Sequence, residues 1–315
     1  MSTSNHKSYT PTASESIPKM VDMEKIIASK NPAILKWTPR FIINYIKRVI
    51  HQDEVNYVLH TYGHLRGLAF NDAIIKEHWH SWYQAHGLEN VPTGRRYIFA
   101  SNHPLGAFDG LILMSAIGAR FPELRFIVND LLLYLKPFDP LFIPVNKHGR
   151  QSAAYANQIE ATYASDRQVL YFPAGLCSRR YNGRITDPPW HPAFIRKAVQ
   201  YKRDVVPVFF EGRNSNRFYR IESIRKRLGI KLNIGMFCLP DEFFRQKNRL
   251  FNLYFGDPIP CETFDKSRTA AQWTQVVRDA VYGLKEERRQ EPDREKEQAC
   301  VRQTENDREA PTNRR

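Results

Sequence analysis

From Tyr97 to Phe255, short apolar runs alternate with stretches of helical spacing, and few folds satisfy that alternation. Strand candidates run from Tyr97 to Ala100, Leu124 to Val128, Leu141 to Val145, Val169 to Phe172, Val205 to Phe210 and Leu250 to Phe255. Helical spacing fills the intervals Asp109 to Ala119, Ala153 to Ser165 and Ala193 to Tyr201. The pattern predicts an α/β fold with a mixed, largely parallel sheet flanked by helices. Rigid strand ends in such a sheet carry loops that can hold chemistry.

The rest of the chain is arranged around this unit. Residues 1–20 offer little to bury and are expected to be disordered. Residues 21–90 read as an N-terminal helical extension. Within it, between Pro39 and Leu65, Phe41, Ile42, Tyr45, Ile46, Val49 and Ile50 recur at helical spacing, with Lys47 and Arg48 beside the stripe. That pattern suits a membrane-surface helix with basic shoulders and equally a helix docked on a core. Asn71 to His86 reads as a further helix ended by Gly87. On it His78 and His86 would share a face with Trp82, with His80 elsewhere; no carboxylate completes a metal site, so packing is their expected role. The α/β domain is assigned to 91–284 and closes with a turn at Gly256 to Pro260 and a helix around Ala270 to Leu284. The charged tail, 285–315, is expected to be disordered.

Charge narrows the function classes. The formal net charge is +14, and the tail holds nine basic and nine acidic residues, so the positive excess lies in the folded part. Such a surface attracts nucleic acid, the anionic face of a membrane or acidic small molecules. No phosphate-tracking stripe with interleaved aromatics and no recognition helix is present, which argues against nucleic acid. Cys177, Cys238, Cys261 and Cys300 are scattered without metal-ligand spacing, so neither disulfides nor a structural zinc is expected. The first 18 residues lack the apolar segment of a signal peptide, and no later stretch has the apolar length of a spanning helix.

The first strand candidate runs directly into SNHPLGAFDG, Ser101 to Gly110. A carboxylate such as Asp109 can hold one imidazole nitrogen of His103 protonated while the other takes a proton from a hydroxyl or amine. No serine or cysteine is obviously paired with the histidine, which points to a base acting on the substrate itself without a covalent enzyme intermediate. A second loop, Tyr171 to Arg180, leaves a strand, turns at Pro173 to Gly175 and presents a hydroxyl, backbone amides and two guanidiniums, a cradle suited to an anion. A third, Glu211 to Arg217, falls on the same sheet edge if the strands are parallel.

With these loops in order, the chain resembles the lysophospholipid acyltransferase family, the PlsC-like glycerolipid acyltransferases. Asn102-His103 with Asp109 resembles the family's NHxxxxD block, Phe142 to Lys147 its acceptor-binding block, Phe172 to Ser178 its FPEGTRS block, and Val206-Pro207-Val208 its late proline block. The resemblance covers roughly residues 80 to 260. It implies transfer of an acyl group from acyl-CoA or acyl carrier protein to a hydroxyl of a lipid acceptor. His103 would be the general base and Asp109 its orienting partner, with backbone amides near Gly175 as donors to the oxyanion and no metal or redox cofactor.

Three departures matter. His103 and Asp109 are separated by five residues where the family has four, which calls for a bulge around Gly106. Ala174 and Cys177 replace the glutamate and arginine of the third block. Lys147 replaces an arginine in the second, offering a point charge instead of a fork. The acceptor is accordingly read as either lysophosphatidate-like or a hydroxylated N-acyl amino acid lipid, as in relatives that make aminolipids. Lys147, Arg150, Gly175, Ser178, Arg179 and Arg213 are the candidate substrate-binding residues. Such an enzyme is expected in the cytoplasm, docked peripherally on the anionic cytoplasmic face of the inner membrane. The contacts would come from the stripe of Phe41 to Ile50 and the segment Tyr219 to Leu228. The competing expectation is a catalytically inactive membrane scaffold that keeps the fold.

Overall fold

The computed structural model describes residues 19–30, 32–145, 153–229 and 235–286. Its strands are β1 (Trp82–His86), β2 (Tyr97–Ser101), β3 (Leu124–Asn129), β4 (Phe142–Val145), β5 (Gln168–Tyr171), β6 (Arg179–Tyr181), β7 (Arg184–Thr186), β8 (Asp204–Phe210) and β9 (Leu250–Phe255). Seven of them form one sheet in the order β1-β9-β8-β2-β5-β3-β4. Every pairing in it is parallel except β8 with β9. All six strand candidates are therefore strands, in a mixed and mostly parallel sheet. The other two strands form a hairpin through Asn182 and Gly183, whose φ values of +48° and +80° suit the left-handed residues of a tight hairpin turn.

Burial explains this arrangement. β2 and β8 are buried at every position, as central strands covered on both faces must be. Along β2 the side chains alternate between two cores: Tyr97 and Phe99 join one, Ile98 and Ala100 the other. Helix Phe108–Arg120 fills the first core with Ile112, Leu113 and Ile117. Helix Ala193–Tyr201 and a helix over residues 270–286 fill the second with Phe194, Ile195, Val277 and Val281. Because β2, β5 and β8 are parallel, the loops that follow them emerge at one edge of the sheet.

The expected helix from Asn71 to His86 is a correction. Helix Gly67–Ala73 passes into a π-helical turn, Ile74–His78, the chain reverses at His80 with φ +47°, and Trp82–His86 pairs with β9 as an edge strand. The free edge of β9 supplies the backbone partners, beginning with Trp82 N–H to the Arg249 carbonyl at 2.9 Å, and that long-range offer outweighs local helical spacing. The three histidines consequently part company: His78 bonds Glu54 at 3.0 Å, and His86 stacks on Tyr254 with ring centroids 5.0 Å apart. The segment from Pro39 to Leu65 is helical as expected, but as two helices, Arg40–Val49 and Gln52–Tyr62, broken at His51 with φ +52°. Residues 285–286 complete the last helix; the rest of the expected tail, and nearly all of the expected N-terminal disorder, lie outside the described residues.

Arg203, at the entry to β8, is completely buried with no carboxylate partner among the described residues. Its guanidinium donates to the carbonyls of Tyr163 at 2.7 Å, Arg167 at 2.7 Å, Thr162 at 3.3 Å and Ser165. It thereby caps the C-terminal end of helix Ala153–Ala164, where carbonyls lack intrahelical partners and the helix dipole is negative. Arg203→Met keeps the apolar bulk but strands these carbonyls, and should lower unfolding free energy by about 3 kcal/mol in urea titrations.

Candidate active site

The site begins where β2 ends. His103 Nδ1 lies 2.9 Å from Asp109 Oδ2, so the two residues singled out in the sequence are in contact. Asp109 sits in the first turn of helix Phe108–Arg120 and is fully buried. Its Oδ2 also accepts the amides of Leu105 at 2.9 Å and Gly106 at 3.3 Å, and Oδ1 accepts the Gly110 amide at 3.0 Å. Backbone donors and the positive end of the helix thus stabilise the carboxylate in place of water. The longer spacing between His103 and Asp109 is absorbed as a bulge: Gly106 takes φ +90°, which turns successive amides onto one carboxylate oxygen. Any Cβ at Gly106 would also stand 2.8 Å from Leu239 Cδ2 and 3.2 Å from Cys177 Cβ.

An imidazole whose Nδ1–H is given to Asp109 presents Nε2 as an acceptor. The ring is held flat against Phe172, centroids 4.0 Å apart and planes within 19°, and its side chain keeps only 12% of its exposure. Tautomer and orientation are fixed from both sides, as a general base requires.

A second carboxylate, not picked out in the sequence, holds the histidine's backbone. Asp187 Oδ2 accepts the His103 amide at 3.2 Å and the Trp190 indole N–H at 3.0 Å, while Oδ1 accepts the Ser178 hydroxyl at 2.6 Å. Burial pushes the Asp187 carboxyl above its ordinary range, and these donors pull against that shift. The Ser178 amide completes the tie by donating to the His103 carbonyl at 2.8 Å. On the other flank, Asn102 exchanges two hydrogen bonds with the backbone of Phe210, 2.7 and 3.0 Å, and Asn214 Nδ2 donates to the Pro104 carbonyl at 3.2 Å. The loops after β2, β5 and β8 are therefore one hydrogen-bonded unit.

The expected substrate-binding residues divide. Ser178 and Arg179 are both buried and hydrogen-bonded internally. Ser178 serves Asp187. Arg179 pairs with Glu222 at 2.9 Å, lies over the Phe218 ring at 5.0 Å, and turns back on Cys177, 2.8 Å from its carbonyl and 2.6 Å from its sulfur. This explains Cys177: a guanidinium already occupies the space that an arginine side chain at 177 would need. Gly175 has φ +62° and its own amide closes the turn on the Phe172 carbonyl at 3.0 Å, so that amide is already engaged in the turn. Arg213 is exposed, beyond the end of β8. Lys147 and Arg150 lie outside the described residues.

Burial pushes the Cys177 thiol up to about 11, and with 2% exposure it is no nucleophile. Among the described residues, Asp204, Cys261 and Glu262 have ligand-like spacing, but Asp204 is engaged by Arg95 at 3.0 Å and the Cys261 amide at 3.0 Å, at the end of β8 remote from His103.

Comparison with known proteins identifies relatives. The acyltransferase family model matches residues 25–289. Two lyso-glycine lipid O-acyltransferases, from Bacteroides thetaiotaomicron and Phocaeicola vulgatus, are each 44% identical over 266 residues, covering 84% of this chain and 97% and 95% of their own. The crystal structure of the 1-acyl-sn-glycerophosphate acyltransferase PlsC from Thermotoga maritima aligns with a TM-score of 0.42 at 18% identity, covering 78% of this chain and 92% of that one.

Gly106→Ala should uncouple the Asp109 cradle from His103 and reduce kcat about a hundredfold, the usual effect of a misplaced catalytic group, in steady-state assays on folded protein. Iodoacetamide at pH 8 should leave Cys177 unmodified in native protein and label it once urea unfolds the chain, as read by peptide mass mapping; rapid native labelling would contradict its burial.

Proposed function

The chain belongs to the acyltransferase family, and we propose that it esterifies the hydroxyl of a lyso-glycine lipid, an N-acylated amino acid lipid, with His103 as general base oriented by Asp109. It is an O-acyltransferase of lipid metabolism. The observation that supports the mechanism is the 2.9 Å contact between His103 Nδ1 and a carboxylate anchored by three amides, which leaves Nε2 as the ring's other nitrogen.

The proposed reaction uses that geometry. Nε2 takes the acceptor's hydroxyl proton as the oxygen attacks the carbonyl carbon of an acyl thioester, acyl-CoA or acyl carrier protein. The new C–O bond forms, the C–S bond breaks, and the proton passes from the imidazolium to the departing thiolate. Asp109 stabilises the transient imidazolium without taking the proton. The amino acid headgroup is supported by the two relatives named for a lyso-glycine lipid, and Cys177 together with the pairing of Arg179 to Glu222 leaves the third block without the free arginine that its family pattern carries.

Peripheral contact with an anionic membrane surface is part of this reading. No helix among the described residues is long and apolar enough to cross a membrane. Helix Arg40–Val49 buries Ile43 yet leaves Phe41 72% and Tyr45 62% exposed, so it both docks and presents an apolar face. Ile224 and Leu228, 57% and 66% exposed, stand among Arg225, Lys226 and Arg227. Apolar groups beside basic charge suit the headgroup region of a bilayer.

His103→Ala should cut acylation of lyso-glycine lipid by about 10²–10⁴-fold in protein that still folds cooperatively, the loss expected when a general base is removed. Undiminished turnover in the purified variant would exclude the role.

A further inference from the structure

We propose that Arg180 and Arg213 together seat the carboxylate headgroup of the acceptor. The inference rests on the reading of that acceptor as an N-acyl amino acid lipid and assigns the residues that recognise it.

The two guanidiniums come from different segments, β6 and the loop after β8, and converge on one atom. Arg213 Nη2 is 2.5 Å and Arg180 Nη2 is 3.4 Å from Asn216 Oδ1. Both arginines are exposed, and neither is paired with a carboxylate among the described residues. Their basic neighbours differ: Arg179 and Arg225 share Glu222, and Arg217 and Arg245 share Asp241. Each guanidinium has five N–H donors, so a single neutral amide oxygen satisfies only a small part of the pair's capacity. Two forks aimed at one point match the two oxygens of a carboxylate, which is bound most strongly by such charge-assisted, bidentate contacts.

The pair is also connected to the histidine. Arg180 is two residues from Ser178, whose amide bonds the His103 carbonyl, and Arg213 adjoins Asn214, whose side chain bonds the Pro104 carbonyl. Both cations are thus carried by segments tied to the histidine loop. Buried Tyr219 is their common support: Arg180 lies over its ring at 5.7 Å, and its hydroxyl accepts the Asn214 amide at 3.2 Å. In an N-acyl amino acid with a hydroxylated chain, only a few bonds separate carboxylate from hydroxyl, so an acceptor seated by its carboxylate on segments tied to the histidine loop keeps its hydroxyl near that loop.

The test compares lyso-glycine lipid with its methyl ester, which keeps the hydroxyl and removes the charge, using wild type, Arg180→Gln, Arg213→Gln and the double variant. Wild type should prefer the acid. Each substitution should lower kcat/KM for the acid about tenfold, and the pair up to about a hundredfold, mainly through KM, as loss of a charge-assisted contact predicts. The acid-over-ester preference should collapse toward one in the double variant. A double variant that turns over the acid with the wild-type preference, or a wild type indifferent to the ester, overturns the seat and leaves acyl transfer standing. A wild type that acylates neither compound overturns the acceptor reading, and the seat with it.

Discussion

The buried carboxylate of Asp109 is the constraint to which the rest of the site conforms. A charge removed from water is tolerated only where fixed donors surround it. Here the donors are three backbone amides and an imidazole, and supplying them dictates the backbone. Leu105 and Gly106 must both turn inward, Gly106 must take φ +90°, and the helix must begin at Phe108. His103 is then held by the same atom that anchors the loop, so the contact that orients the imidazole and the contacts that satisfy the buried charge share one oxygen.

Asp187 extends this economy to the neighbouring loop. It binds the backbone of His103, the hydroxyl of Ser178 and the indole of Trp190, so the turn after β5 cannot move without moving the histidine. Each of those donors, stranded, would cost about 1–3 kcal/mol, which makes the loop cluster stiff as a unit. The arginines around it fall into two groups. Arg179 spends its charge on Glu222 and Cys177 in the interior, whereas Arg180 and Arg213 keep theirs at the surface. A residue's type says little about which group it joins; the neighbouring carboxylate decides.

How far the sequence could be read is clearest at particular residues. His103 and Asp109 were legible because their contact is local, made within one loop and one helical turn. The six sheet strands from β2 onward were legible because each is an apolar run with punctuation on both sides. Trp82 to His86 was misread because its alternation is equally compatible with a helix, and only the exposed edge of β9 settles the matter. The internal partners of Ser178 and Arg179 were invisible for a similar reason. A hydroxyl and a guanidinium after a turn look available until Asp187 and Glu222, remote in sequence, claim them.

The sequence by itself determined the strand and helix grammar and the closeness of His103 to Asp109, because these depend on periodicity and short spacings. Only the tertiary structure decided that Asp187 supports the histidine, that Arg179 is internal, and that Arg180 and Arg213 meet. Those relations depend on which segments the parallel sheet brings to one edge. Hydrogen bonding between residues some tens of positions apart leaves no trace in local pattern, since any polar residue at the right point in space would serve.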